Sequence, residues 1–130
     1  MLIDTSAWVE FLRATGSPAH LAVSAAIREQ TAVSTCEPVT MELLAGGRSE
    51  QHVTQLRGLL ARATLIRTTA TDWEDAARIY RAGRRQGVTI RKLVDCLIAS
   101  IALRADQPLL HRDADFDAVA QIVPLRTLRG

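Results

Sequence analysis

The chain has almost no lysine: Lys92 is the single one, and every other basic residue among its sixteen is arginine. Guanidinium forks match phosphate oxygens two at a time, a bias that suits RNA or DNA. An Ala- and Arg-rich chain also arises from a GC-rich genome, and a net charge of +2 is far from strongly basic, so composition alone does not assign a nucleic-acid partner. Cysteine is scarce too. Cys36 and Cys96 lie far apart, without a CxxC partner or a nearby histidine to suggest zinc, and read as small buried hydrophobes. No apolar run approaches the roughly 20 residues of a membrane-spanning helix, so no membrane is expected. No basic n-region or extended apolar stretch follows Met1, so a secretory signal is not expected and the cytoplasm is the expected compartment. Repeats, low-complexity tracts and Pro/Gly-rich linkers are also missing. Residues 1–130 therefore read as one domain, long enough to bury most of its apolar surface in a single core, with an ordinary 48% of apolar residues.

What is present is an alternation of short apolar strands and amphipathic helices. Strands are expected at 1–3, 31–34, 65–66, 108–110 and 123–125, the last at a sheet edge. Helices are expected from Asp4-Thr5-Ser6 through Leu12, over 18–29, from Pro38 to Gly46-Gly47, over 50–61, from a capping box at Thr71-Asp72-Trp73-Glu74 to about Gly87, over 94–105 and over 113–120. Crossover helices of this kind imply an α/β fold with a mostly parallel sheet covered on both faces.

Five acids stand out in this frame. Ligands of an open α/β sheet gather outside the carboxyl ends of its strands, near a switch in strand order. Asp4 follows the first strand and Asp113 follows the strand ending near Leu110; on adjacent strands they would stand side by side, although each is also a natural helix N-cap. Asp95 lies in the apolar helix start Leu93-Val94-Asp95-Cys96-Leu97-Ile98, where a buried charge is costly unless compensated, or else complements the helix dipole. Glu42 shares a helix side with Pro38, Val39, Ala45 and Gly46, mostly small or apolar neighbours. Asp115 could approach a ligand from the same turn as Asp113, whereas Asp117 would point about 200° away from Asp115. Carboxylates converging without a paired lysine repel one another, and a hard cation such as Mg²⁺ or Mn²⁺ is the usual remedy. Arg81, Arg84, Arg85, Arg91 and Lys92 lead into the Asp95 helix and could carry phosphates toward the acids, but read mostly as helix-end and solvated charges.

The motifs Leu2-Ile3-Asp4-Thr5-Ser6-Ala7-Trp8, Pro38-Val39-Thr40-Met41-Glu42-Leu43-Leu44-Ala45-Gly46, Leu93-Val94-Asp95-Cys96-Leu97-Ile98-Ala99 and Arg112-Asp113-Ala114-Asp115-Phe116 resemble those of the PIN-domain ribonucleases, specifically the VapC-like toxins of bacterial toxin-antitoxin pairs. The resemblance covers the whole chain, and its first and third motifs are specific together. It implies a three-layer α/β/α fold and an Mg²⁺- or Mn²⁺-dependent endoribonuclease, with Asp4 and Asp95 as principal metal carboxylates. Glu42 and Asp113 would complete the pocket, Asp115 would act through water, and Thr5 and Ser6 would steady the first acid's loop. It further implies RNA as substrate, a homodimer, and a VapB-like antitoxin whose C-terminal segment occupies the cleft, often through an arginine. His111 departs from the family, which often carries Thr or Ser there.

Rival readings fit less well. A haloacid-dehalogenase-type phosphatase needs a second acid at Ser6, and a receiver domain needs a lysine after a late strand, where Lys92 does not fall. A catalytically silent PIN module binding RNA or protein is the remaining alternative, and it has no reason to retain mutually repelling acids.

Overall fold

The computed structural model describes residues 1–129. Its elements run β1 (Leu2–Ile3), α1 (Thr5–Leu12), α2 (Pro18–Arg28), β2 (Ser34–Cys36), α3 (Glu37–Ala45), α4 (Glu50–Leu60), β3 (Thr64–Ile66), α5 (Ala70–Arg85), α6 (Leu93–Arg104), β4 (Leu109–His111), α7 (Ala114–Ala120) and β5 (Thr127–Arg129). The five strands form one parallel sheet in the order β3-β2-β1-β4-β5, within a three-layer α/β/α fold. Leu2 pairs with both Ser34 and Leu109, so β1 lies between β2 and β4, and the order of strands reverses at the β1–β4 boundary.

The core follows from residue type. Leu2, Ile3 and Leu109 are wholly buried, as central parallel strands must be when helices cover both faces. In α6 every residue from Asp95 to Ala102 is buried, so this helix is apolar nearly all round and runs through the protein rather than over it. Capping is conventional elsewhere: Asp4, Ser17, Ser49, Thr69 and Asp113 each accept a backbone N–H of the helix they begin. Pro18 and Pro38 sit in first turns, where a missing N–H costs nothing. Among the described residues no helix is long and apolar enough to cross a membrane.

Three local expectations are corrected. The strand expected at 31–34 forms at Ser34–Cys36, because β1 offers only two residues to pair with, and Ser34 is the one that meets Leu2. The strand expected at 123–125 forms instead at Thr127–Arg129. The chain is still turning off α7 at the earlier position: Val123 donates to the Val119 carbonyl and Leu125 to that of Val123. The capping box uses Thr69 and Asp72, two residues before the expected pair. Both spacings satisfy the motif, and burial decides between them: the Asp72 carboxylate is fully buried and held by Arg104, through Nε at 2.9 Å and Nη2 at 3.0 Å, while the same guanidinium donates to the Arg67 carbonyl.

Candidate active site

Helices α1, α3 and α7 each begin directly after a strand, so their first turns stand at the carboxyl edge of the sheet. Asp4 caps α1 there, only 3% exposed. Its Oδ2 accepts the Ser6 backbone N–H at 2.8 Å and the Ser6 hydroxyl, whereas its buried Oδ1 has no hydrogen-bond partner among the described residues. The Ser6 oxygen also accepts the Arg112 N–H at 2.9 Å, tying the turn after β1 to the turn after β4. Thr5 donates to Glu42 Oε1 at 2.7 Å, so adjacent residues of one turn orient two of the acids.

Asp95 reaches the same edge from the first turn of α6 and is 2% exposed. Asp95, Asp113 and Asp115 each offer an oxygen within 4.8 Å of the others. Asp115, expected as an outer member, is as buried as Asp95. Its carboxylate accepts the backbone N–H groups of Arg91 at 3.1 Å and Lys92 at 2.9 Å, and so caps α6 from across the site. The acids thus form two groups, Asp4 with Glu42 and Asp95 with Asp113 and Asp115, linked by the repulsion between Asp4 and Asp95.

The expectation that no lysine pairs with these acids is overturned. Lys92 donates through Nζ to Asp113 Oδ2 and stands 3.5 Å from Asp95 Oδ2. Arg91 is not merely a solvated charge either: its Nε lies 3.1 Å from Asp115 and its Nη2 3.3 Å from Asp113. Arg84, by contrast, lies over the Tyr80 ring. The sequence signal for Lys92 was its place: an N-cap favours a short polar acceptor, and the helix dipole opposes a cation there.

His111 ends β4 fully buried, its ring against Phe116. Its Nδ1 accepts the Asp113 backbone N–H at 3.1 Å, which places the ring proton on Nε2, 3.7 Å from Asp117 Oδ1. The imidazole therefore steers the backbone of the acid rather than its carboxylate. Cys36 and Cys96 are free and buried, and burial lifts their thiols to about 12 and about 11, so neither is a nucleophile at neutral pH.

The acids differ sharply in charge state. Burial raises Asp4 to about 6, against the lowering effect of the Ser6 hydrogen bonds and with a further push from Glu42. Burial, a shared hydrogen bond with Asp115 and the charge of Asp4 raise Asp95 to about 8. Burial also acts on Asp113 and Asp115, but Lys92 holds the first and Arg91 the second below the usual carboxylate range. A site built only of carboxylate oxygens, with an unpartnered buried oxygen on Asp4 and two acids that resist ionising, fits a hard divalent cation.

A pH dependence follows. Both raised acids keep their protons in the folded protein at pH values where the unfolded chain has lost them, so the stability they contribute is fully present below about pH 4. It is lost as pH rises through about 6 for Asp4 and about 8 for Asp95. Protein freed of cations should melt at a lower temperature at pH 8 than at pH 6, and saturating Mn²⁺ should remove most of that difference. Melting curves in chelator and in Mn²⁺ check this; a cation-free melting temperature rising over the interval would contradict it.

The PIN domain family model matches residues 1–122. Ribonuclease VapC11 of Mycobacterium tuberculosis is 46% identical over 128 residues, covering 97% of this chain and 96% of its own. Among solved structures, VapBC2 from Rickettsia felis, bound to a DNA fragment from its promoter, aligns over 99% of this chain and 97% of its own with a TM-score of 0.78 at 19% identity. The M. tuberculosis toxin VapC20, described as cleaving the sarcin-ricin loop, aligns over 96% and 98% with a TM-score of 0.69 at 20% identity. At those identities the structural matches speak for the fold, and the sequence match carries the kinship. The chain belongs to the PIN domain family and, within it, to the VapC-like ribonucleases.

Proposed function

We propose that the protein is a divalent-metal-dependent endoribonuclease toxin of the VapC kind, hydrolysing RNA phosphodiester bonds and silenced by a VapB-like antitoxin. The observation that carries this reading is the buried pair Asp4 and Asp95, coupled by charge at the switch point of the sheet, in a chain 46% identical to a ribonuclease. Asp4 and Asp95 would hold Mg²⁺ or Mn²⁺, with Glu42 and Asp113 completing the set and Asp115 acting from behind. Bound there, the cation supplies Lewis-acid polarisation of a phosphoryl oxygen and acidifies water.

The chain's own residues do the rest. Ser6 holds one oxygen of Asp4 and leaves the other free to bind; Thr5 orients Glu42. Arg91 and Lys92 keep Asp115 and Asp113 ionised at neutral pH. In-line attack by water needs no 2′-hydroxyl, so the products carry 5′-phosphate and 3′-hydroxyl ends.

The proposed setting is cytoplasmic, with residues 1–130 as one domain and the protein as a homodimer. An antitoxin arginine entering the cleft would pair with the carboxylates in place of the cation. Met41, Trp73 and Leu93 stand exposed around a hollow between α3, α5 and α6, an apolar patch of the kind that partner proteins cover.

Purified protein given mixed structured RNAs with Mg²⁺ or Mn²⁺ should cleave them to 5′-phosphate ends. Asp4→Asn should be slower by more than about a hundredfold, since losing even an outer partner of a metal ligand costs up to that much. Equal cleavage by both proteins, or by neither, would sink the assignment, and a 2′,3′-cyclic phosphate product would refute direct hydrolysis.

A further inference from the structure

Lys92 is the only lysine of the chain, and its ammonium turns back over the acids from the N-cap of α6. Its side chain is 50% exposed, whereas Asp95 and Asp113 are 3% and 11% exposed, so it closes the acid cluster on the solvent side. Among the described residues it is the cation nearest Asp95, since Arg91 pairs with Asp113 and Asp115. The two cations are held differently. Arg91 contacts Asp115 through both its backbone N–H and its guanidinium, whereas Lys92 gives Asp115 only its backbone N–H and sets its ammonium, at the end of a flexible stem, on Asp113 and beside Asp95.

We propose that Lys92 is the internal counter-ion of the metal-free site, that an incoming divalent cation displaces its ammonium, and that the displaced ammonium then holds a non-bridging phosphate oxygen of the RNA. This rests on reading the acids as a metal site. A cation held by Asp95 and Asp113 would compete with Lys92 for the two carboxylates it now contacts and would repel the ammonium. The half-exposed stem lets the ammonium swing outward without disturbing α6, whose cap bond from Lys92 to Asp115 is made by the backbone. At the mouth of the cleft the anion that arrives next is the substrate phosphate, for which lysine serves as a point-charge ligand. The protein would thereby keep its acids neutralised when no cation is present, at the cost of some affinity for the cation.

A single lysine makes the test direct. Protein labelled with [¹⁵Nζ]lysine has one side-chain ammonium signal from the chain, expected to be hydrogen-bonded and slow to exchange in chelator. Titration with Mg²⁺ should move it to the position of a free lysine, with the midpoint of cation binding measured by calorimetry. Lys92→Met should bind Mn²⁺ about tenfold more tightly, an ordinary coupling between adjacent sites, and should raise KM for RNA more than it lowers kcat. An ammonium signal that stays in place while calorimetry shows Mg²⁺ bound would overturn displacement. Mn²⁺ affinity that is equal or weaker in Lys92→Met would do the same, and an unchanged KM would overturn the phosphate contact. If calorimetry finds no cation binding in the parent protein, the metal-site reading itself falls and this proposal with it.

Discussion

Asp95→Asn should lose RNA cleavage by more than about a hundredfold and, freed of cations, melt at a higher temperature than the parent protein at pH 8. The two effects have one cause. Asp95 is buried in the first turn of an apolar helix, and burial, its hydrogen bond with Asp115 and the charge of Asp4 push it to about 8. Near neutral pH without a cation, the folded protein bears the cost either of ionising it or of keeping its proton. Asparagine has the same shape, carries no charge, and offers an N–H to Asp115 in place of the acid's proton. On the proposed reading the substitution removes a destabilising group and a cation ligand together, a trade between stability and activity. Melting curves in chelator and cleavage assays in Mn²⁺ measure the two halves separately. An inactive variant that has also lost stability would mean that Asp95 is structural, and retention of cleavage within tenfold would remove it from the mechanism.

Asp4 and Asp95 stood out in combination rather than singly, since alone the first is a natural helix N-cap and the second can complement a helix dipole, and the PIN-family resemblance joined them. One is an acid set directly after a buried strand; the other is an acid inside a helix start that is otherwise apolar. The parallel sheet was legible for a related reason, since short apolar strands alternating with amphipathic helices leave few other ways to cover both faces. What the sequence did not reveal depends on partners distant along the chain. Whether Asp115 caps its own helix or α6 cannot be read from its neighbours, because the N–H groups it accepts belong to Arg91 and Lys92. The engagement of Lys92 is hidden in the same way, although a lysine at an N-cap is itself an anomaly. The edges of β2 and β5 shifted because a strand begins where its neighbour offers a ladder, here Leu2 for Ser34 and Leu109 for Thr127.

The same contrast between local motif and distant partner sets the second large effect, on stability. Asp72→Ala should cost about 3 kcal/mol, toward the low end for breaking a buried pair, because Arg104 is 38% exposed and can be solvated once released. Asp72 itself is fully buried, where it accepts the Thr69 N–H at 2.8 Å and pairs with Arg104. Asp72→Asn keeps an acceptor for Thr69 and should cost less, about 1–2 kcal/mol. Arg104→Met should cost more than Asp72→Ala at pH 7, since it strands a buried carboxylate. Burial alone would raise that carboxyl; Arg104 and Thr69 hold it below its ordinary range. Its contribution is therefore present above about pH 4 and is lost as pH falls through its depressed value. The excess cost of Arg104→Met over Asp72→Ala should accordingly shrink in acid, where the stranded group takes up a proton. Urea denaturation of the three variants at pH 7 and near pH 4 checks the order and its collapse. Arg104 stands nine residues beyond Asp95, roughly 14 Å along α6, so the folded fraction of each variant should cleave RNA at the parent rate. A variant that stayed folded but inactive would show that α6 transmits the loss of this pair to the acids.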